Sequence, residues 1–314
     1  MSARPLRKLM TEFLEYLEVE RGRSARTVRN YHFYLRRFAD WAHDPGPAYV
    51  TRDLVHRYRL WLNRSVPGRE EETIKKSTQN YHLIALRAFL KYLARRDVKS
   101  LPPEQIELVK QSARIVDFLE PDELARLRAA PRKMADGLVA LRDRAILELL
   151  FSTGLRVSEL AGLPIETVNV DKDEFTVRGK GGKPRVVFLS DDAKRAVAAY
   201  VAARRDLSPY LFVSHDRAKR ERGETGPLTA RSIERLVAGY ARACGIGKRI
   251  TPHTLRHTFA TDLLRNGADI RSVQSLLGHA SITTTQVYTH VTDKQLKDVH
   301  RRFHGKGKQP ADSL

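Results

Sequence analysis

A single cysteine, Cys244, is all the sulfhydryl chemistry this 314-residue chain has, so no internal disulfide can staple it. No apolar run approaches the about 20 residues that a membrane-spanning helix requires. A secretory leader is not expected either, because Glu12, Glu15 and Glu18 interrupt the apolar residues near the N-terminus. Together these absences make a reducing cytoplasm the expected compartment and leave no expectation of a membrane partner. Acidic residues are also in short supply: 37 Asp and Glu stand against 57 Lys and Arg, giving a formal charge of +20 and a pI near 10.2. Such an imbalance favours a polyanion as partner, since displacing counterions from nucleic acid drives binding. Charge alone leaves ribosomal and membrane-surface roles open. What the chain does have is apolar material: 41% hydrophobic residues suffice for substantial cores, and the length suggests two domains.

The first hundred residues read as four helices. Phe13, Leu14, Tyr16 and Leu17 form one stripe, and Ser24 is placed to cap a second helix carrying Val28, Tyr31, Leu35, Phe38 and Trp41. After the break at Asp44-Pro45-Gly46-Pro47, Thr51 can cap a third helix with Leu54, Val55, Tyr58 and Leu62. Ser77 or Thr78 can cap a fourth that runs through Tyr81, Ile84, Leu86, Phe89, Leu90 and Leu93. The aromatics follow the buried face, so they read as core. Arg36, Arg37, Lys75, Lys76, Arg95 and Arg96 are the better candidates for nucleic-acid contact, with a solvated helix face as the alternative. A polar stretch around Pro102-Pro103 then reads as a linker. The expected organisation is a helical domain over 1–100, a linker over 101–117 and a second domain over 118–314, opening where Glu120 or a neighbour starts a helix with Pro121 in its first turn.

The chemistry sits in the second half. Arg156 lies in TGLRVSEL, Lys180 in Arg178-Gly179-Lys180-Gly181-Gly182-Lys183, His253 and Arg256 in HTLRH, His279 in LGH, and Tyr288 at the end of SITTTQVY. A phenol with arginines and imidazoles gathered around it suggests covalent attack on a phosphate. Attack on a phosphodiester builds negative charge on the non-bridging oxygens, which guanidinium groups can clamp bidentately without a metal. A free tyrosine has a pKa of about 10, so neighbouring cations and a proton acceptor must make it nucleophilic. The leaving 5′ oxygen needs a proton, and Lys180 is the natural donor.

Local pattern places these groups. Arg156 follows the apolar run Ala145–Phe151 and the Thr153-Gly154 break, and Glu159, one turn on, can orient it while compensating its charge. Phe175 and Val177, then Val186 and Phe188, alternate on either side of the glycine-rich run, so Lys180 should ride a β-hairpin turn. A phosphate-binding P-loop is the competing reading of that run, but its spacing is missing. Lys183 is a possible substitute for Lys180. Thr251-Pro252 opens a helix that Gly267 stops, with His253 and Arg256 in one sector and Leu255, Phe259 and Leu263 in another. His253 and His257 also fit an i, i+4 metal pair, yet the glutamate of a zinc-protease motif is absent. Asp269 can cap a short helix through Val273, Leu276 and Leu277 that Gly278 ends, releasing His279. From Ser281 a further helix would carry Tyr288, and Leu296, Val299 and Phe303 form a modest apolar stripe beyond it.

In order and spacing these motifs resemble the tyrosine recombinase (phage integrase) family, particularly its short Xer-like members. The resemblance covers most of the chain. It implies a mainly α fold with a small β-sheet: an N-terminal four-helix core-binding, SAM-like domain followed by an α+β catalytic domain. It implies Arg156 and Arg256 as the phosphate clamp, Lys180 as general acid, His253 as an aid to proton transfer, His279 as a phosphate donor and Tyr288 as nucleophile. The implied reaction is site-specific recombination through a 3′-phosphotyrosyl intermediate and a Holliday junction, with neither metal nor cofactor. The implied partner is double-stranded DNA bearing recombination sites, on which four protomers assemble. A paralogue or activator requirement stays open, as does whether the C-terminal stripe packs on a neighbouring subunit or on its own domain. No extra arm-binding domain is expected at the N-terminus. The rivals are a type IB topoisomerase, which shares the covalent chemistry, and a DNA-binding protein without catalysis.

Overall fold

The structure, a computed structural model, describes residues 5–68, 73–109, 117–179, 182–215 and 226–278. Lys180, His279, Tyr288 and the stripe at Leu296, Val299 and Phe303 lie outside these residues. The chain divides into two compact units, Met1–Ala113 and Arg114–Leu314.

The first unit is all helical. Helix α1 (Leu6–Glu15) runs on into a π-helical turn (Tyr16–Glu20), followed by α2 (Ala25–Trp41), α3 (Arg52–Arg64) and α4 (Lys76–Ala94). The expected caps act at two of these starts: Ser24 Oγ accepts from the Thr27 N–H at 3.3 Å and Thr51 Oγ1 from the Leu54 N–H at 3.2 Å. Helix α4 begins without a Ser77 or Thr78 cap; Lys75 precedes it, and its carbonyl accepts from the Thr78 and Gln79 N–H groups. Phe13, Phe38, Tyr58 and Phe89 are fully buried with Leu35, Leu62, Leu86 and Leu90, as a core reading of the aromatics requires. Tyr81 and Ile84 depart from it and face solvent, because a 19-residue helix in a small unit buries one stripe only. Beyond α4, Leu101 and Ile106 fold back into this same core, and the Asn80 side chain bonds the Val109 backbone at 2.8 and 3.1 Å. Within the core the Tyr58 hydroxyl and His82 Nδ1 lie 2.9 Å apart. Burial lowers His82 to about 4, so the imidazole is neutral there.

In the second unit, α5 (Pro121–Met134), α6 (Gly137–Thr153) and α7 (Val157–Ala161) precede an antiparallel hairpin of β1 (Glu174–Arg178) and β2 (Pro184–Phe188). Then come α8 (Asp191–Ala203), α9 (Ala230–Ala243), α10 (Pro252–Arg265) and α11 (Ile270–Leu277). Helix α6 is the hub, packing against α5, α8 and α10. Its residues Ile146, Leu147, Leu149 and Leu150 are fully enclosed, and an apolar surface all round is what a central helix needs. Two acids on α6 are buried with partners: Glu148 accepts from Arg128 of α5, and Asp143 accepts from its neighbour Arg142 and from the Tyr240 hydroxyl of α9. Pro121 opens α5 as expected, with the Glu120 N–H donating to Glu123 Oε2 at 2.9 Å. The hairpin forms where the alternation placed it, but its inward residues are Phe175, Val177 and Val187. Val186 and Phe188 point outward, since Val187 and not its neighbours pairs with Phe175.

If α6 is the hub, Leu150→Ala should lower the free energy of unfolding by about 2–5 kcal/mol through lost burial and a cavity. Denaturant titration measures this, and a loss below about 1 kcal/mol would count against α6 as the centre of the core.

A candidate phosphate-binding active site

The site starts from a glycine. Helix α6 ends at Gly154 with φ of 59°, a left-handed cap that turns the chain into α7 within two residues. A Cβ at this position would stand 2.6 Å from Phe259 Cδ1 of α10 and 3.1 Å from Leu277 Cδ2 of α11, so only glycine lets the three helices meet here. That close approach brings the Gly154 carbonyl within reach of Arg256. The buried Arg256 guanidinium donates through Nη1 to Gly154 O and through Nη2 to Leu277 O. Helix α10 presents it from a well-capped start, where the Thr251 and Thr254 hydroxyls exchange bonds with each other's backbone N–H at 3.1 and 3.2 Å.

Arg156 occupies the N-cap of α7, one residue past that turn. Its N–H donates to Glu159 Oε2 and its Nη1 to Glu159 Oε1, both at 2.8 Å, while Nη2 reaches the carbonyl of Gly278 at 3.2 Å. The two arginines therefore seat on consecutive carbonyls, Leu277 and Gly278, at the C-terminal end of α11. Gly278 is left-handed with φ of 61°, and His279 is the next residue in the chain. Glu159 also accepts from Arg185 of β2, Nη1 to Oε1 at 2.8 Å and Nη2 to Oε2 at 2.7 Å. Burial pushes the Glu159 carboxyl up, but hydrogen bonds from Arg185 and Arg156 outweigh it and hold the group at about 2. The carboxylate stays ionised at any physiological pH.

His253 stands one turn before Arg256 and is exposed. Partial desolvation, then the guanidinium charges of Arg256 and Arg156, lower its pKa, so the ring is biased towards its neutral, proton-accepting form. His257 is lowered further, to about 4, by burial and by its neighbours His253 and Arg256. Leu255 anchors α10 in the main core, whereas Phe259 and Leu263 pack on a small separate cluster with Leu264, Val273 and Leu277. The hairpin turn is closed by the Gly179 N–H donating to Lys183 O at 2.8 Å. A Cβ on Gly179 would lie 3.4 Å from Arg185 Nη1 and 3.8 Å from Arg156 Nη1, so the residue before Lys180 adjoins the arginine cluster.

Of the six residues expected in the site, Arg156, His253 and Arg256 are thus brought to one place. Lys180, His279 and Tyr288 fall outside the described residues. Arg185 is the member that reading the sequence missed. Its signal was parity: it lies opposite Val177 on the inward side of a strand whose next inward residue is Val187, a place where a bare cation needs a partner.

Comparison with known proteins gives the family of the chain. Residues 117–295 match the Phage integrase family and residues 10–97 the Phage integrase N-terminal SAM-like domain. The tyrosine recombinase XerC of Pelobacter propionicus is 39% identical over 310 residues, 98% of each chain. The tyrosine recombinase XerD of Listeria monocytogenes is 36% identical over 304 residues, 94% of this chain and 98% of its own. The crystal structure of XerA recombinase superposes with a TM-score of 0.51 at 31% identity, covering 96% of this chain and 99% of that one. The chain belongs to the phage integrase family, among its Xer-type tyrosine recombinases.

Gly154→Ala combines a left-handed backbone with the Phe259 clash and should cost at least about 1 kcal/mol while displacing the carbonyl that seats Arg256. Thermal unfolding together with phosphate-analogue binding would show it, and an unchanged Tm would contradict the close approach. Glu159→Gln should destabilise at neutral pH. Because the folded-state pKa of Glu159 is depressed, its contribution is full above the ordinary value of 4.5 and fades as pH falls towards about 2. The stability gap between wild type and variant should narrow across that window; a gap that stays constant would refute the pairing.

Proposed function

We propose that this protein is a site-specific DNA recombinase that cuts and rejoins DNA through Tyr288. The observation that supports it most is the seating of Arg156 and Arg256 side by side at the end of α11, immediately before the segment that carries His279 and Tyr288. Two guanidinium groups on the non-bridging oxygens would stabilise the charge that develops as the Tyr288 oxygen attacks phosphorus. The Tyr288–phosphorus bond forms as the bond to the 5′ oxygen breaks. Lys180, which follows Gly179 in the chain, gives that oxygen its proton, and the lowered pKa of His253 suits it to take the proton from Tyr288. His279 donates to the phosphate. The 5′ hydroxyl of a partner duplex then reverses the step, so bond energy is conserved and no cofactor is consumed.

In this reading the helical domain over 1–100 grips the duplex together with the catalytic domain over 118–314, and the stretch 101–117, whose Leu101 and Ile106 pack into the helical core, connects them in sequence. Arg36, Lys75, Lys76, Arg95 and Arg96 are exposed on the helical domain, as phosphate contacts require, Arg96 lying also over the Tyr92 ring, while Arg37 is half-buried over Phe33. Four protomers would join two duplexes through a Holliday junction in the cytoplasm, with or without a paralogue.

Tyr288→Phe should bind target DNA normally and form no covalent adduct. Arg156→Lys, which keeps charge but loses the fork, should slow cleavage by about 10²–10³-fold. Trapping on nicked duplexes checks both, and an adduct that persists in Tyr288→Phe would remove the nucleophile assignment. A supercoil-relaxation assay beside a two-site exchange assay separates recombination from topoisomerase-like swivelling.

A further inference from the structure

We infer that Arg185 is a positioning residue for the reaction: it takes up the Glu159 charge, so that Glu159 can hold Arg156 in place without cancelling it. The inference rests on the function proposed above and deepens it. Glu159 does two jobs for Arg156, fixing its backbone as a helix cap and its side chain as an ion pair. A one-to-one pair would leave no net charge to attract a phosphodiester. With Arg185 present, each Glu159 oxygen receives one donor from each arginine residue, and the three groups sum to one positive charge. Arg156 is then oriented by a carboxylate whose field a second cation has already absorbed.

The placement of the three side chains fits this division. Arg185 is 8% exposed and Glu159 9%, whereas Arg156 is 25% exposed, so the surplus charge faces outward on the arginine that would meet DNA. Both terminal nitrogens of Arg185 are engaged by Glu159, and its Nε is buried with no hydrogen-bond partner among the described residues. A buried guanidinium kept here is poorly explained by stability alone, since a buried ion pair is often no better than apolar packing. Arg185 also ties the hairpin to the end of α11. It lies on the strand that follows Lys180 in the chain, and a Cβ on Gly278 would come within 2.9 Å of Arg185 Cδ.

The test uses full-length protein and nicked duplexes of the site recovered by sequencing DNA trapped on the wild type. At saturating DNA, Arg185→Met should form adduct at least about 30-fold more slowly, with DNA affinity within about threefold of wild type. Arg185→Lys, which restores the charge but not the fork, should recover part of that loss. The decisive variant is Glu159→Gln with Arg185→Met, in which Arg156 regains its charge: it should cleave at least about fivefold faster than Arg185→Met alone. A merely structural role predicts the double variant to be as slow or slower, and that result would overturn the inference even if Arg185→Met folds poorly. Wild-type cleavage with an unaffected Arg185→Met would overturn it too. Failure of the wild type itself to form an adduct would instead sink the recombinase reading.

Discussion

Two guanidinium groups held within one small volume repel each other and cost a great deal to desolvate, and the second unit is organised around meeting that cost. Arg256 is seated on the carbonyls of Gly154 and Leu277, Arg156 on that of Gly278 and on Glu159, and Glu159 in turn on Arg185. Each of the carbonyl seats exists because a helix ends there: Gly154 closes α6, and Leu277 and Gly278 close α11. Carbonyls at helix ends lack intrahelical partners and carry partial negative charge, which makes them suitable seats for cations. The glycine at 154 is what allows those ends to converge.

The same arrangement gives the two arginines different settings. Arg256 is buried and anchored by backbone, so it moves only if α6, α10 and α11 move together. Arg156 is more exposed and is held largely by a side chain, and the hairpin is tied to it through Arg185. On the proposed reading stability and chemistry share the Glu159 carboxylate: it caps a helix, pins a strand and would set the charge that Arg156 offers to a phosphate.

Much of this was legible in the sequence because it depends on local rules. The caps at Ser24, Thr51, Thr251 and Asp269, the glycine stops at 154 and 278 and the hairpin around the glycine-rich run are short-range signals. Arg156, His253 and Arg256 could be named because their motifs carry them in fixed spacing. The rest depended on contacts distant in sequence. Which of Val186, Val187 and Phe188 faces inward is decided by register against β1, and the role of Arg185 by a glutamate 26 residues away. The start of α4 after Lys75 was hidden because serine and threonine hydroxyls lay just inside the helix and looked like caps.

What matters most is whether the paired arginines serve attack by one particular tyrosine. Digesting the covalent protein–DNA complex and locating the nucleotide-bearing peptide by mass spectrometry tests this most directly. A single modified peptide, with a 3′-phosphate joined to Tyr288, is the expected product. DNA attached to any other side chain, or to the 5′ end of the break, would contradict it.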